Sequence, residues 1–80
     1  MKNKPLSKAV DLAGGQAALA RKLTEHLGRP FRQGHVWNWL FRDGSPLPAE
    51  VVIPIEHIVE GKITRHQLRP DIYPIEVKQA

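Results

Sequence analysis

Side chains able to read DNA bases are concentrated between residues 33 and 38. Gln33 and Asn38 each carry an amide that can both donate and accept hydrogen bonds. Such amides pair bidentately with N6 and N7 of adenine in the major groove. Gly34 has no side chain and allows bases or backbone to approach closely. These three residues predict a surface for direct readout of base edges.

Two tryptophans stand next to these polar residues. Trp37 and Trp39 cannot both face the core, because side chains two positions apart on a helix point in different directions. We assign Trp39 to the core, which leaves Trp37 at least partly exposed. Trp37 then packs on a thymine methyl group or a sugar, or is covered by the connection of residues 24–31. The sequence leaves these alternatives open.

Five further side chains are candidates for contacts with DNA phosphates, which position a protein on the duplex rather than select its sequence. Gln16 opens a helix, where its side chain and the helix N-terminal amides can meet a phosphate. Three arginines bracket the base-reading residues, and a histidine adds phosphate affinity at lower pH. The complete set is Gln16, Arg29, Arg32, His35 and Arg42.

Charge is distributed unevenly along the 80 residues, whose net charge is +4. Residues 1–42 hold eight basic and two acidic side chains, whereas residues 43–80 hold four and six. Basic charge in one half is typical of a phosphate-binding face, although solubility alone explains the charge equally well.

Enzyme and metal chemistry find little support in the composition. The absence of cysteine excludes disulfides, thiolate zinc sites and a cysteine nucleophile. The four histidines lack metal-ligand spacing, and Glu56 and Glu60 read as a solvated helix face. We therefore predict no catalytic site, no metal and no cofactor. No signal-peptide pattern or apolar run of ~20 residues is present, so we expect a cytoplasmic, nucleoid-associated bacterial protein without membrane contact.

The elements that position these residues are predicted to be short helices separated by glycine and proline. Apolar residues at spacings of three and four predict three helices, over residues 5–13, 16–23 (or on to 27) and 32–42. Residues 43–46 form a turn cluster. A fourth helix begins at Pro48, with Ala49, Val52, Ile55 and Val59 directed inward. Thr64 is expected to cap a short helix over residues 65–68.

Pro54 conflicts with the fourth helix, because proline removes a backbone donor and crowds the preceding turn. We expect a kink or a division into two short pieces. The alternative for residues 51–55 is an extended strand, since β-branched side chains dominate that run.

Two stretches, GQAALARKL at residues 15–23 and RQGHVWNWL at residues 32–40, resemble the helix-turn-helix of phage Cro/CI-type repressors. The closer likeness is to the prophage-encoded YdaS-type regulators. It includes LPAE at residues 47–50, IE at 55–56 and ITRHQLRPDIYP at 63–74, and covers about residues 6–74.

The resemblance implies an all-α, lambda-repressor-like bundle of four to five short helices containing a helix-turn-helix. Residues 1–75 would form one DNA-binding domain, followed by a frayed tail at 76–80. By position, Gln33, Gly34 and Asn38 match the family's base-reading sites, and Gln16 matches its phosphate-contacting glutamine. Trp37 and Gly34 themselves depart from the small polar or amide-bearing residues usual there, and the connection of residues 24–31 is longer than usual.

Two functions are compatible with these features. The first is a sequence-specific transcriptional regulator that binds double-stranded DNA as a homodimer, with residues 51–59 and 69–73 as candidate dimer surfaces. The second is a protein-interaction module, such as an antitoxin or a phage-encoded inhibitor of a host protein. The acidic second half and a partly exposed apolar run at residues 51–55 would favour the second function.

Overall fold

The computed structural model describes residues 4–42 and 47–74, and this part of the chain contains five helices and no strand. The helices are α1 (Lys4–Ala13), α2 (Gln16–Leu27), α3 (Gln33–Phe41), α4 (Ala49–Ile58) and α5 (Arg65–Leu68). The predicted all-α bundle is confirmed. The predicted turn at residues 43–46 and the tail at residues 76–80 lie outside the described residues.

Helix α2 occupies the centre of the bundle, where it packs against α1, α3 and α4, while α5 packs against α4 and α1. Apolar residues at helical spacing supply one core. Burying each of these aliphatic side chains contributes about 1.5–3 kcal/mol relative to leaving it in water. The largest fully buried side chains are Leu6, Leu19, Leu23, Val36, Leu47, Val51, Val52 and Ile55.

The corner between α1 and α2 fixes where α2 begins. Gly14 and Gly15 have φ angles of 103° and 115°, which side chains with a Cβ rarely adopt. Lys22 of α2 donates from Nζ to the carbonyl of Ala13 at 3.1 Å. A cation therefore satisfies one of the free carbonyls at the C-terminus of α1. Gln16 consequently stands at the first turn of α2, as predicted.

Helix α2 continues to Leu27, the longer of its two predicted ends, before Gly28 ends it in a left-handed conformation, so the connection to α3 consists of residues 28–32. Thr24 holds the connection at both sides. Its hydroxyl donates to the carbonyl of Ala20 at 2.9 Å and accepts from the backbone N–H of Phe31 at 2.8 Å. Residues 28–32 are thereby held against the end of α2.

Helix α4 is continuous through Pro54, so neither the expected division into two pieces nor the strand alternative occurs. Proline in a helix costs about 3 kcal/mol. Three apolar side chains of this helix, Val51, Val52 and Ile55, are fully buried, and their burial outweighs that cost. The expected partial exposure of residues 51–55 is confirmed only for Ile53 and Pro54, since the other three residues are buried.

Two smaller expectations for α4 also fail. Ala49 was expected to point inward, but it is exposed because the first turn of α4 lies at the surface. Glu56 does not belong to a solvated face: its Oε1 accepts from both the backbone N–H and Nε of Arg65, at 3.1 and 2.8 Å. Glu60 lies beyond the end of α4, with a φ of 58°.

The segment around α5 is held by paired side-chain bonds. Thr64 caps α5 as predicted, since its hydroxyl accepts from the backbone N–H of Gln67 while Gln67 Oε1 accepts from the backbone N–H of Thr64. Arg69 donates to both carboxylate oxygens of Asp71 and to the carbonyl of Leu47. Arg69, which follows α5, is thus bonded to Leu47, which precedes α4.

Candidate nucleic-acid interface

The outward face of α3 carries the residues that the sequence assigned to base readout. Val36 and Leu40 are buried and turn one side of α3 toward the core. Gly34, Trp37, Asn38 and Phe41 recur at spacings of three and four on the other side. Gly34 is exposed and Asn38 is half-buried. Trp37 is 48% exposed, which confirms the predicted exposure of this ring.

A hydrogen bond joins the first residues of α2 and α3. Gln33 donates from Nε2 to Oε1 of Gln16 at 3.3 Å. The bond uses one of the two N–H groups of the Gln33 amide, and its carbonyl oxygen is not involved. The other N–H group and the carbonyl oxygen of the Gln33 amide are the two groups that a bidentate contact with adenine requires. The structure therefore brings the two predicted glutamines together and restrains the direction of one amide.

The N-terminus of α3 is capped by a histidine. His35 accepts on Nδ1 from the backbone N–H of Arg32 at 2.9 Å. An acceptor on Nδ1 requires a neutral ring with its proton on Nε2, so only Nε2–H can donate to a phosphate in this arrangement. Added phosphate affinity at lower pH, as the sequence suggested, would require protonation and would break this cap.

The ring of His35 also belongs to an aromatic cluster on the flank of α3. His35 stacks on Trp39 with ring centroids 6.4 Å apart, and Phe31 lies 6.2 Å from Trp39. Trp39 is only half-buried and packs against the edge of the core, so its assignment to the interior is only partly correct. The connection after α2 covers Trp39, through Phe31, rather than Trp37.

The three arginines occupy different places. Arg32 and Arg42 are exposed and flank α3 at its N-terminal and C-terminal cap positions. Arg29 instead forms an ion pair with Glu50 of α4, and its guanidinium lies 5.1 Å from the centroid of the Phe31 ring. Two of these arginines, Arg32 and Arg42, therefore stand at the ends of the candidate reading helix, whereas Arg29 is paired with a residue of α4.

Comparison with known proteins identifies the family of the chain. A family model described as "Bacterial toxin YdaS" matches residues 6–77. The chain belongs to the YdaS family. The YdaS resemblance drawn from the residues is thus confirmed, while the wider relation to Cro/CI-type repressors stays a prediction. No curated protein and no solved structure shows significant similarity to the chain.

The YdaS match spans α1 to α5 and includes the whole α2–α3 unit. Sequence reasoning missed four residues that shape this unit in the YdaS chain. Thr24 and Phe31 hold and cover the connection, Glu50 engages Arg29, and Phe41 extends the outward face of α3. The hydroxyl of Thr24 near the end of α2 is a sequence feature that could have indicated its role. No feature of the sequence indicated the pairing of Glu50 with Arg29.

The described part of this YdaS chain offers no metal centre and no membrane-crossing helix. Across residues 4–42 and 47–74, no three His, Asp or Glu side chains group closely enough to hold a metal ion. None of the five described helices has the length and apolar character that crossing a membrane requires.

Proposed function

We propose that this YdaS-family chain is a sequence-specific transcriptional regulator, a Cro-like repressor of prophage origin that binds double-stranded DNA without catalysis. Helices α2 and α3 act as the helix-turn-helix, and α3 enters the major groove. The observation that carries the proposal is the hydrogen bond between Gln16 and Gln33. The bond holds the Gln33 amide at the N-terminus of α3, where its second N–H and its carbonyl oxygen can pair with a base.

Charge and exposure around α3 support this role. The nine residues of α3 include no Asp, Glu, Lys or Arg, and an exposed arginine stands at each end. A duplex in front of this face would therefore meet amide and apolar groups at its bases and cations at its phosphates. Base contacts of the amide type contribute about 1–3 kcal/mol of discrimination each. Gln33 and Asn38 are the side chains able to supply them.

A homodimer on DNA is part of the proposal. Most of the apolar residues in 51–59 lie inside the protomer, which leaves residues 69–73 as the candidate contact. Ile72 in that segment is 41% exposed. Two copies would place their α3 helices on half-sites about one DNA turn, ~10 bp, apart.

The decisive experiment is selection of randomised duplex DNA by the purified full chain. We expect enrichment of a two-fold symmetric site. On that site Gln33→Ala and Asn38→Ala should each weaken binding by about 1–3 kcal/mol and relax specificity. Ser7→Ala, an exposed and uncharged substitution on α1, is the matched control and should change nothing. An unenriched pool, or equal binding of all variants, would refute the proposal.

A second candidate function is binding of a protein partner with an acidic segment. It is favoured by a groove of about 770 Å³ between α1 and the start of α5. Its charged lining consists of three lysines and one acid, Lys4, Lys8, Lys62 and Asp11, and Leu12 and Ile63 contribute apolar surface. Peptides selected on the wild-type chain should then be acidic and apolar, and should not bind Lys8→Glu. Peptides that bind this variant equally well would exclude the groove.

A further inference from the structure

An aromatic pair lies on the outward face of α3. Trp37 and Phe41 are one helical turn apart, and their ring centroids are separated by 5.4 Å with planes inclined at 50°. The rings are about half exposed, at 48% and 50% respectively. Neither ring is among the described aromatic side chains that pack on the core, which are Phe31, Trp39 and Tyr73. The fold does not account for two large apolar rings at this position.

Gly34 leaves the same face open above the rings. Phe41 follows Gly34 by seven residues, which is close to two helical turns, so the two residues lie nearly in line along α3. Apart from its chain neighbours and the nearby backbone of α3, no described atom lies within 4 Å of a Cβ added to Gly34. The outward face therefore consists of a bare backbone at its N-terminal end and an aromatic platform at its C-terminal end.

We propose that Trp37 and Phe41 recognise the 5-methyl groups of thymine, so that the operator carries thymines within a few base pairs of the base contacted by Gln33. This inference rests on the proposed entry of α3 into the major groove. The thymine methyl is the apolar group that base edges present in that groove, whereas the other bases present donors and acceptors. Rings that cannot hydrogen-bond favour thymine there.

Contact with deoxyribose is the competing assignment, and the positions of the charges argue against it. Sugars lie with the phosphates at the edges of the groove, and the candidate phosphate ligands Arg32 and Arg42 stand at the two ends of α3. Trp37 lies between them, on the same face as Gly34 and Asn38. This central position favours bases over the backbone for Trp37, and the Phe41 ring, 5.4 Å from Trp37, extends the same apolar surface toward Arg42.

The rise of the helix gives the expected location of the thymines. Trp37 and Phe41 follow Gln33 by four and eight residues, which correspond to about 6 Å and about 12 Å along the axis. A base-pair step is about 3.4 Å. A helix lying along the groove would place the methyl groups roughly two to four steps from the base read by Gln33.

The test replaces each thymine of the selected operator, one at a time, with deoxyuridine, which removes only the methyl group. For the wild-type full chain we expect about a fourfold loss of affinity at one or two positions, the equivalent of about 0.8 kcal/mol. Trp37→Ala should bind the thymine operator more weakly and should no longer distinguish thymine from deoxyuridine. Phe41→Ala should lose the effect at the second position.

Each outcome decides one question. If wild-type affinity is unchanged by every replacement, or if Trp37→Ala keeps the full deoxyuridine effect, the methyl inference is wrong while specific DNA binding stands. If no operator is selected at all, the proposed function fails first. Circular dichroism and thermal unfolding of both variants show whether they fold. Trp37→Leu retains an apolar side chain and should recover part of the discrimination.

Discussion

Substituting Gly34 by alanine should raise stability and lower DNA affinity at the same time. Gly34 lies in the first turn of α3 at an ordinary helical φ, and apart from its chain neighbours and the nearby backbone of α3 no described atom lies within 4 Å of an added Cβ. Glycine in a helix costs about 0.5–1 kcal/mol relative to alanine. The structure of the protein alone therefore gives no reason for glycine here, whereas a duplex packed against the backbone would give one.

The magnitude follows from the size of the chain. A gain of about 0.5–1 kcal/mol corresponds to a rise in Tm of about 2–8 °C for a domain of this length. An added methyl group would hold the base edges away from α3. We expect affinity for the selected operator to fall at least about fivefold, which is the lower limit of about 1 kcal/mol for one lost base contact.

Thermal unfolding by circular dichroism and fluorescence anisotropy with a labelled operator measure the two effects. Gly28→Ala is the matched control, because its added Cβ also meets nothing within 4 Å but its φ is +72°. That left-handed conformation costs a residue with a Cβ about 1–2 kcal/mol, so this variant should unfold at a lower temperature. A fall in Tm for Gly34→Ala, or unchanged operator affinity, would refute the reasoning.

Three further outcomes are expected. Arg32→Ala should weaken binding to all duplexes and reduce the slope of log affinity against log salt concentration by about 0.9. Lys62→Ala is the control and should leave that slope unchanged if only the α3 face meets DNA. The hydrogen bond from Arg69 lowers the pKa of Asp71 to about 2. The ionised pair therefore stabilises the folded protein above the unfolded pKa of about 3.9, and this stabilisation is lost as pH falls toward 2. Acid unfolding followed by circular dichroism should therefore shift to higher pH in Asp71→Asn, and an unchanged midpoint would contradict the pairing. Thr24→Val removes two hydrogen bonds at the end of α2 and leaves a backbone N–H unpaired, so urea unfolding should show a loss of about 1–3 kcal/mol.

Elements set by local chemistry were predictable from the sequence. Glycine at positions 14, 15 and 28 ends helices, and the Thr64 cap begins one, because both effects act within a few residues. The spacing of Val36 and Leu40 predicted which side of α3 is buried. Gln33, Gly34 and Trp37 accordingly lie exposed, and Asn38 half-exposed, where a reading surface would need them.

The errors arose where distant residues decide the outcome. Pro54 was judged by its local cost, but the burial of its neighbours against α2 maintains α4. The ion pair of Arg29 with Glu50, 21 residues away, was likewise beyond local reasoning, while the phosphate contact of Arg29 stays a prediction. The partial exposure of Trp39 likewise depends on how Phe31 packs, which no helical period reveals.

The histidine cap of α3 also makes this helix observable in solution. Because Nδ1 of His35 accepts from the Arg32 backbone, the ring is restricted to one tautomer, and its two nitrogens should have distinct ¹⁵N resonances in NMR spectra. Loss of the cap would let the tautomers exchange and would draw the two signals together. The His35 ring of ¹⁵N-enriched protein thus reports whether the N-terminus of α3 is formed, without any attached probe.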